Sequence, residues 1–504
     1  MRCRGSITIF LSLSLTMILS LLFTLLESAR LYGLQSHATM ESQLMLESLM
    51  AQYHPEIYEQ YGIYLLECNQ GDVLSLAGAD ANMQGLGMEN LCGGNNAWNG
   101  SSLNLYALNL TQCHVVQELV VTDEKGAAFA KQAADYMKSR LLLSAVESLY
   151  ENAEEMEQLE ESTGDVDDYL SQADTALGDL EAANQAAQAQ NTGAQPEEIP
   201  LVSLEDGFEN PIEYVKDLKN NAVLAQVLGD VTKVSNQKLQ EKEDLLHRDL
   251  YEGNFSVENP SAAEKLLFKE YLLEKFSDYT KPQDESVLQY ELEYIICGEN
   301  SDKENLTKVV ERLLAIRELA NYISLHQDAE KVSLAHTMAV EIGGISLNPV
   351  VIQVIQEGII AAWAYSEAVQ DVQTLLNGGT VPLYKENGDW GCNFQKISES
   401  SYETENAYED PAEIGFGMDY QAYLRILLYG TTEKKLAMRT LNLMERCIRR
   451  TEGNDSFRMD CMVSAVTVNW VYEAEPLFFG LYGSGEGWNQ NYRFVRIKKF
   501  SYLF

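Results

Sequence analysis

The residues of this chain that could do chemistry are dispersed carboxylates, six histidines and a few glycine-rich stretches, and their spacing matches no catalytic motif. There is no HExxH pair for zinc, no GxSxG nucleophile turn, no GxxxxGKS/T phosphate loop and no EF-hand loop. The histidines are not at metal-ligand spacing, and Gly483–Gly487 precedes a predicted strand rather than a helix. We therefore predict no catalytic residue, no cofactor and no metal site.

An active site would require a buried cluster of titratable groups. Glu357 with Asp371 or Glu367, on one predicted helix, is such a cluster, although satisfied positions in a helical core explain these residues more simply. The carboxylates of Asp165–Asp168 lack the glycine turn and the terminal glutamate of a calcium loop, so they indicate a solvated acidic face. We therefore expect that the protein is not an enzyme.

The charge of the chain limits its partners. Its 504 residues include 76 acidic and 36 basic side chains, for a formal net charge of -40. Phosphate backbones repel such a chain, so we predict no nucleic-acid partner, and we infer no small-molecule substrate. Arg493, Arg496, Lys498 and Lys499 form a basic cluster against this background. They either pair with acidic surface nearby or protect an exposed edge strand.

Cysteines are sparse in this sequence and show no CxxC spacing, so neither a zinc site nor a disulfide-dense scaffold is indicated. Cys3 precedes the N-terminal apolar run, and seven follow it: Cys68, Cys92, Cys113, Cys297, Cys392, Cys447 and Cys461. An odd number leaves at least one unpaired within the chain. Cys447 and Cys461 flank a turn-rich segment and could form a bridge, but we favour buried or reduced thiols.

The N-terminus contains a candidate membrane span. Ile7–Leu26 carries no charge and as a helix would be ~30 Å long, the thickness of a bilayer's hydrocarbon core. Arg2 and Arg4 precede it and acidic loops follow, which places the N-terminus in the cytoplasm and the remainder outside the membrane. A cleaved signal peptide is the alternative, but its apolar core would be shorter, and Glu27–Arg30 is a poor cleavage site. We favour a retained, single-pass anchor that contacts the bilayer through residues 7–26.

The periodicity of the remaining chain predicts an α+β fold. A long N-terminal transmembrane helix continues into an ectodomain, which has a small antiparallel sheet of early and C-terminal strands and a large, mostly helical insertion. The predicted segments are a cytoplasmic N-terminus (1–6), the transmembrane helix (7–26), a helix extension (27–60), N-terminal strands (61–123), an acidic helix and linker (124–200), a helical region (201–450) and a C-terminal β-hairpin (451–504).

Several individual elements follow from local signals. The pattern of Tyr61–Cys68 predicts a strand, and Asp123 is predicted to cap a long helix. Pro211–Leu250 is predicted to be helical. Ser301–Glu304 is a capping box that opens another helix. Val350–Tyr365 is apolar enough to suggest a second span, but its central glutamine and glutamate residues favour a buried core helix.

The N-terminal pattern resembles that of TadE/TadG-like proteins, the minor pilins or pseudopilins of tight-adherence (Flp-type) pilus systems. The resemblance is carried by Arg4 and Gly5, the long apolar run, and an acidic-x-x-Arg exit at Glu27 and Arg30. True prepilins carry a glutamate five residues after the processing glycine, where this chain has Phe10. The resemblance therefore does not extend to cleavage after Gly5 or to incorporation into a fibre.

The middle of the chain resembles a family of uncharacterised anchored proteins of Gram-positive bacteria associated with such pilus loci. The matching stretches are Leu292–Ile296, Ser301–Glu318, Ala361–Tyr365 and Asp419–Arg425. This resemblance implies a non-enzymatic membrane component of a Tad-type pilus or secretion apparatus, with other membrane components of that machine as partners. A stand-alone anchored adhesin or binding protein is the alternative, and its surface display would persist without the pilus genes.

Overall fold

The computed structural model describes residues 4–70, 73–91, 98–99, 102–141, 164–191, 211–239, 244–283, 286–343, 348–386, 389–391, 417–478 and 491–503. The helices are α1 (Arg4–Met50), α2 (Pro55–Tyr61), α3 (Ala77–Leu91), α4 (Ala127–Lys138), α5 (Gly164–Asn191), α6 (Pro211–Asn220), α7 (Val223–Val227), α8 (Ala262–Lys275), α9 (Glu291–Cys297), α10 (Asp302–Gln327), α11 (Ala329–Gly343), α12 (Pro349–Leu376), α13 (Tyr420–Tyr429) and α14 (Glu433–Ile448). The strands are β1 (Leu66–Glu67), β2 (Asn69–Gln70), β3 (Val73–Leu74), β4 (Trp98–Asn99), β5 (Ser102–Leu103), β6 (Asn109–Val120), β7 (Met462–Ala474) and β8 (Tyr492–Ser501).

These elements confirm the predicted α+β class, and the chain divides into two compact units. The sheet unit comprises Met1–Tyr136, Leu245–Ser261 and Met444–Phe504. The helical unit comprises Met137–Asp244 and Ala262–Leu443. The sheet unit is therefore assembled from segments near both ends of the sequence and one short segment from its middle.

Helix α1 is continuous because no proline occurs before Pro55 and its apolar half is rich in leucine, a strong helix former. The side chains of residues 7–26 are almost all exposed, and the second half of the helix is buried along one side at Leu34, Ala38, Met45 and Leu49. Within the described residues, α1 is the one helix whose length and composition allow it to cross a membrane, as a signal anchor or as a signal sequence.

The main sheet of the sheet unit is antiparallel and centred on β7. Strand β6 pairs with one side of β7, while β8 and the short β1 pair with the other. The register of Val115, Val468 and Lys498 across the three long strands shows that the predicted C-terminal hairpin of β7 and β8 is formed. Alternate residues of β7 join the core that includes the buried side of α1, namely Val466, Val468, Trp470 and Tyr472.

Two predictions near the start of the sheet unit are wrong. The strand predicted over Tyr61–Cys68 is reduced to β1, because Pro55 starts α2 and Gly62, at φ 71°, ends it. Asp123 does not cap α4. Its carboxylate instead accepts hydrogen bonds from the backbone N–H groups of Val120 at 2.8 Å and Gly253 at 3.0 Å. Residues 142–163 of the long helix predicted there lie outside the described residues.

The helical unit confirms two predictions and part of a third. The Ser301 hydroxyl accepts a hydrogen bond from the N–H of Glu304 at 3.3 Å at the start of α10. Most of the apolar stretch Val350–Tyr365 is buried within α12, as predicted for a core helix. The helical prediction for Pro211–Leu250 is confirmed only in its first part, where the short helices α6 and α7 are followed by a 3-10 turn. The glycine-rich loop at Gly483–Gly487, between β7 and β8, lies outside the described residues.

A hydroxyl pair links α1 to the sheet and provides a test of this packing. The Ser42 and Tyr472 hydroxyls lie 2.9 Å apart, both buried. We expect Tyr472→Phe to lower the free energy of unfolding by about 1 kcal/mol, because one buried hydrogen bond is lost. Urea unfolding of the detergent-solubilised chain measures this, and Ser42→Ala and the double variant complete a cycle. Strictly additive costs would show that the two hydroxyls do not interact.

Candidate functional site

The most distinctive site in the sheet unit is a buried ion pair at the point where the apolar run of α1 ends. Glu27 and Arg30 are one helical turn apart on α1, and the Arg30 Nη1 lies 3.0 Å from the Glu27 Oε1. The two residues are 0% and 4% exposed. Charged side chains are almost never this buried unless they are paired, so this pair is specifically accommodated by the fold.

Backbone groups of the sheet unit surround the Glu27–Arg30 pair. Arg30 donates from Nε to the carbonyl of Leu105 at 2.6 Å and from Nη1 to the carbonyl of Glu475 at 2.9 Å. The Glu27 carboxylate accepts from the N–H of Phe478 at 2.8 Å and from that of Leu477 at 3.4 Å. The pair therefore joins α1 to the segment before β6 and to the turn after β7. Both segments lie at the same end of the sheet.

The aromatic neighbourhood of the pair is consistent with this enclosed environment. Burial, together with the nearby Glu27 carboxylate, raises the pKa of Tyr492 to about 12. Tyr492 is the first residue of β8 and pairs with Ala474 of β7. The Tyr492 hydroxyl therefore stays protonated at neutral pH and adds no charge beside Glu27.

Of the residues in the N-terminal pattern, Arg4, Gly5, Phe10, Glu27 and Arg30, only Glu27 and Arg30 are shown in contact with each other. Glu27 and Arg30 are in contact, whereas Phe10 is 71% exposed and lies about 26 Å from Glu27 along the helix axis, at 1.5 Å per residue. Arg4 and Gly5 form the start of α1. Glu27 and Arg30 therefore have a structural role in the sheet unit, which the sequence pattern alone did not reveal.

The basic cluster on β8 borders a groove against α1. The groove has a volume of about 680 Å³ and is lined by residues such as Tyr32, Met40 and Glu47. Arg496 donates to the Thr39 hydroxyl at 2.8 Å, and Lys498 donates to the Gln43 side-chain oxygen at 2.8 Å. These two cations thus bind uncharged polar groups of α1. Pairing with acidic surface and protection of an edge strand were the two alternatives predicted from the sequence.

The cysteines of the sheet unit distinguish between the two alternatives, a bridge or reduced thiols, and favour reduced thiols. Cys447 and Cys461 are not joined to each other. The Cys68 N–H instead donates to the Cys461 carbonyl at 3.1 Å, at the end of β1. Burial raises the pKa of the Cys68 thiol to about 12, which leaves it protonated and unreactive at neutral pH.

The helical unit contains a second buried charged network, around Arg317. Arg317 Nε lies 2.9 Å from Asp371 Oδ2, and Lys385 Nζ lies 2.5 Å from Asp371 Oδ1. Lys385 also binds Glu367. Burial would raise the pKa of Asp371, but the Arg317 and Lys385 charges hold it below its usual value. Two cations and two carboxylates balance one another here, which is the arrangement expected of a structural network.

Remaining donors of the Arg317 guanidinium fasten a neighbouring segment. Nη1 donates to the carbonyls of Pro382 and Leu383 at 2.9 and 2.7 Å, and to the Tyr423 hydroxyl at 3.1 Å. Nη2 donates to the Asn321 side-chain oxygen at 2.8 Å. The network thereby links α10, α12, α13 and the segment after α12.

Glu357, the third residue of the cluster considered from the sequence, lies elsewhere. It accepts from the Tyr322 hydroxyl at 2.9 Å and lies 3.1 Å from the His326 ring. Ten residues separate it from Glu367, about 15 Å along α12. The structure brings Glu367 and Asp371 together and leaves Glu357 in a separate contact. Among the described residues, no group of three or more histidine, cysteine or acidic side chains is arranged to hold a metal ion.

Sequence reasoning did not single out Glu293 of α9, although it is 0% exposed. Its Oε1 accepts from the Tyr420 hydroxyl at 2.7 Å and from the Tyr279 N–H at 2.9 Å. Burial raises the pKa of Glu293 to about 8, and the nearby Asp278 charge acts in the same direction. Glu293 is therefore a carboxylic acid that remains protonated at neutral pH. The only sequence signal for it was its position between the apolar residues Leu292 and Tyr294.

The fold and these sites define an α+β protein with a long apolar N-terminal helix and two buried networks of paired charges. A family of unknown function (DUF5702) matches residues 203–474, more than half of the sequence. The chain belongs to this family. The matched range includes the Arg317 network and β7, whereas α1 and β8 lie outside it. None of the curated proteins and none of the solved structures matches the chain.

The Glu27–Arg30 pair should be essential to the stability of the sheet unit. We expect Arg30→Gln to lower the free energy of unfolding by about 3–5 kcal/mol, because it leaves the Glu27 carboxylate buried without a cation. Urea unfolding of the detergent-solubilised chain measures the loss. Arg493→Gln, on the exposed side of β8, is the matched control and should change stability by less than about 0.5 kcal/mol. Equal effects of the two substitutions would contradict the structural role.

Glu293 should make stability depend on pH. Its pKa is about 8 in the folded chain, against 4.5 for an ordinary glutamate. Between these values the folded chain keeps a proton that the unfolded chain releases. The free energy of unfolding should therefore fall as pH rises from 5 to 8, by up to about 1.4 kcal/mol per pH unit from this group. Unfolding curves of the Glu293→Gln variant should lack this slope and show higher stability at pH 7.

The matched control for Glu293 is Glu311→Gln, which changes an exposed side chain of the neighbouring α10. This control should retain the slope of the unmodified chain. If Glu293→Gln keeps the same slope as Glu311→Gln, Glu293 does not hold the proton.

Proposed function

We propose that this chain is a non-enzymatic, single-pass membrane component of a Tad- or Flp-type pilus assembly or secretion apparatus. Helix α1 crosses the bilayer with its N-terminus in the cytoplasm, and the sheet and helical units are extracytoplasmic. The observation that carries the proposal is the exposed apolar surface of residues 7–26, which ends at the buried Glu27.

The cost of leaving that surface in water supports a membrane location. Its large apolar side chains, such as Phe10 and Met17, are mostly more than half exposed. Burying each one is worth about 1.5–3 kcal/mol, so the run as a whole represents tens of kcal/mol. A bilayer satisfies this requirement without further protein contacts.

The Glu27–Arg30 pair supports a retained anchor over a cleaved signal peptide. Cleavage between Glu27 and Arg30 would remove the acceptor of the Leu477 and Phe478 N–H groups and leave the Arg30 guanidinium buried without its carboxylate. Breaking such a pair costs about 3–5 kcal/mol. A fold that builds its core on α1 therefore favours keeping α1 whole.

The pilus assignment rests on resemblance. The Arg4–Gly5 start, the apolar run and the Glu27–Arg30 exit are the pattern of TadE/TadG-like proteins. The exposed apolar side chains of α1 would then contact the membrane helices of other components of the machine. The groove between α1 and β8 favours the second candidate, a stand-alone adhesin or binding protein, because it offers an exposed tyrosine and two cations to a ligand.

N-terminal sequencing and intact mass of the membrane-extracted protein test the anchor. We expect a chain that retains residues 1–26. A mature chain that starts at Ser6 would indicate prepilin processing, and a chain that starts beyond Leu26 would overturn the anchor.

A photo-crosslinking amino acid at Phe10 tests the partner. We expect adducts with a membrane protein of the pilus machinery in cells, because this side chain faces away from the fold. The same amino acid at Tyr58, which is partly exposed in α2, is the control and should not give these adducts. Adducts that persist unchanged in cells without the pilus platform genes would favour the stand-alone candidate.

A further inference from the structure

The turn after β7 reaches back along α1, past the ion pair, to the apolar run. The rings of Phe23 and Phe478 are stacked, with centroids 6.2 Å apart and planes inclined at 19°. Phe23 belongs to the apolar run, and it is half-buried where most of its neighbours are exposed. A residue from the C-terminal part of the chain therefore covers one position of the candidate membrane span.

We propose that the turn at Leu477 and Phe478 is a second membrane-contacting element, which enters the boundary between lipid headgroups and acyl chains beside α1. This inference rests on the proposed function, because it requires α1 to cross the bilayer. The ligand is the lipid bilayer itself, and the contact is apolar.

The depth of Phe478 follows from helix geometry. Phe23 precedes Glu27 by four residues, so its Cα lies about 6 Å closer to the membrane centre. The Cα–Cβ bond of a helical residue tilts towards the N-terminus, which moves the Phe23 ring deeper still. The Phe478 ring is stacked on the Phe23 ring, with the two centroids 6.2 Å apart, so it contacts a side chain that lies on the hydrocarbon side of Glu27.

Backbone hydrogen bonding makes this position tolerable. An N–H group without a partner in hydrocarbon costs several kcal/mol. Glu27 accepts the N–H groups of both Leu477 and Phe478, and Pro476, which precedes them, has no N–H. The turn thus presents few unpaired donors to lipid.

The side chains of the turn are graded in polarity. Glu475 is exposed, Leu477 is buried and Phe478 is half-buried. The carbonyl of Glu475 is held by Arg30, on the aqueous side of Glu27. A charged residue therefore remains above the boundary while an aromatic residue lies below it, as aromatic residues do at membrane interfaces.

Lipid photolabelling of the unmodified full-length chain tests the inference. The protein is reconstituted in phosphatidylcholine vesicles that contain a lipid with a diazirine on its acyl chain, and adducts are located by peptide mass spectrometry. We expect adducts on residues 7–26 and on Phe478. The yield at Phe478 should exceed that at Tyr58, an exposed aromatic side chain beyond the outer end of α1, by at least ~10-fold, because acyl chains do not reach Tyr58.

The outcomes separate the inference from the proposed function. Labelling of residues 7–26 without labelling of Phe478 overturns the inference and leaves the anchor intact. Absence of labelling on both overturns the anchor. A Phe478→Asp variant gives a further check, since its labelling at residues 477–478 should fall to the level at Tyr58, whereas Phe478→Leu should keep it.

Discussion

The sheet unit depends on one ion pair, formed where the apolar half of α1 meets the folded sheet unit. Glu27 and Arg30 are buried together, and both also hydrogen-bond to backbone groups, which lie before β6 and after β7. Because both charges are needed to satisfy each other, the helix cannot slide or rotate against the sheet without exposing one of them to an apolar environment. The pair therefore fixes the register of α1 against the sheet, and Leu34 and Met45 of the same helix pack in the core of this unit.

The helical unit is organised by the same principle with different partners. Arg317, Asp371, Lys385 and Glu367 form a neutral set inside a bundle of α10, α12 and α13. Arg317 uses its guanidinium to hold two carbonyls of the segment after α12, so an irregular stretch is fixed by hydrogen bonds rather than by secondary structure. This network lies within the range that defines the family, whereas the Glu27–Arg30 pair lies outside it. The range that matches the family thus covers most of the helical unit and does not include α1.

The parts of the fold that could be predicted from sequence are those with strong local signals. The apolar run of α1, the capping box at Ser301 and the glutamine-interrupted core helix at Val350–Tyr365 each specify their structure over a few turns. The roles of Glu27 and Asp123 could not be predicted, because their partners are far away in the sequence. Phe478 is 451 residues from Glu27, and Gly253 is 130 residues from Asp123. A motif can therefore show that a carboxylate is present without showing which distant N–H group it will bind.

The central position of β7 has a consequence for the order in which the chain folds. Strand β6 ends at Val120, and its partner β7 begins only at Met462. At 5–20 residues per second, synthesis of the intervening chain takes roughly 20–70 s. During this interval the helical unit is synthesised, while the side of α1 that packs on β7 and the edge of β6 that pairs with β7 lack their partner. The packing of α1 against the sheet can therefore be completed only after β7 has been synthesised. Until then the exposed apolar surface can aggregate or bind a chaperone.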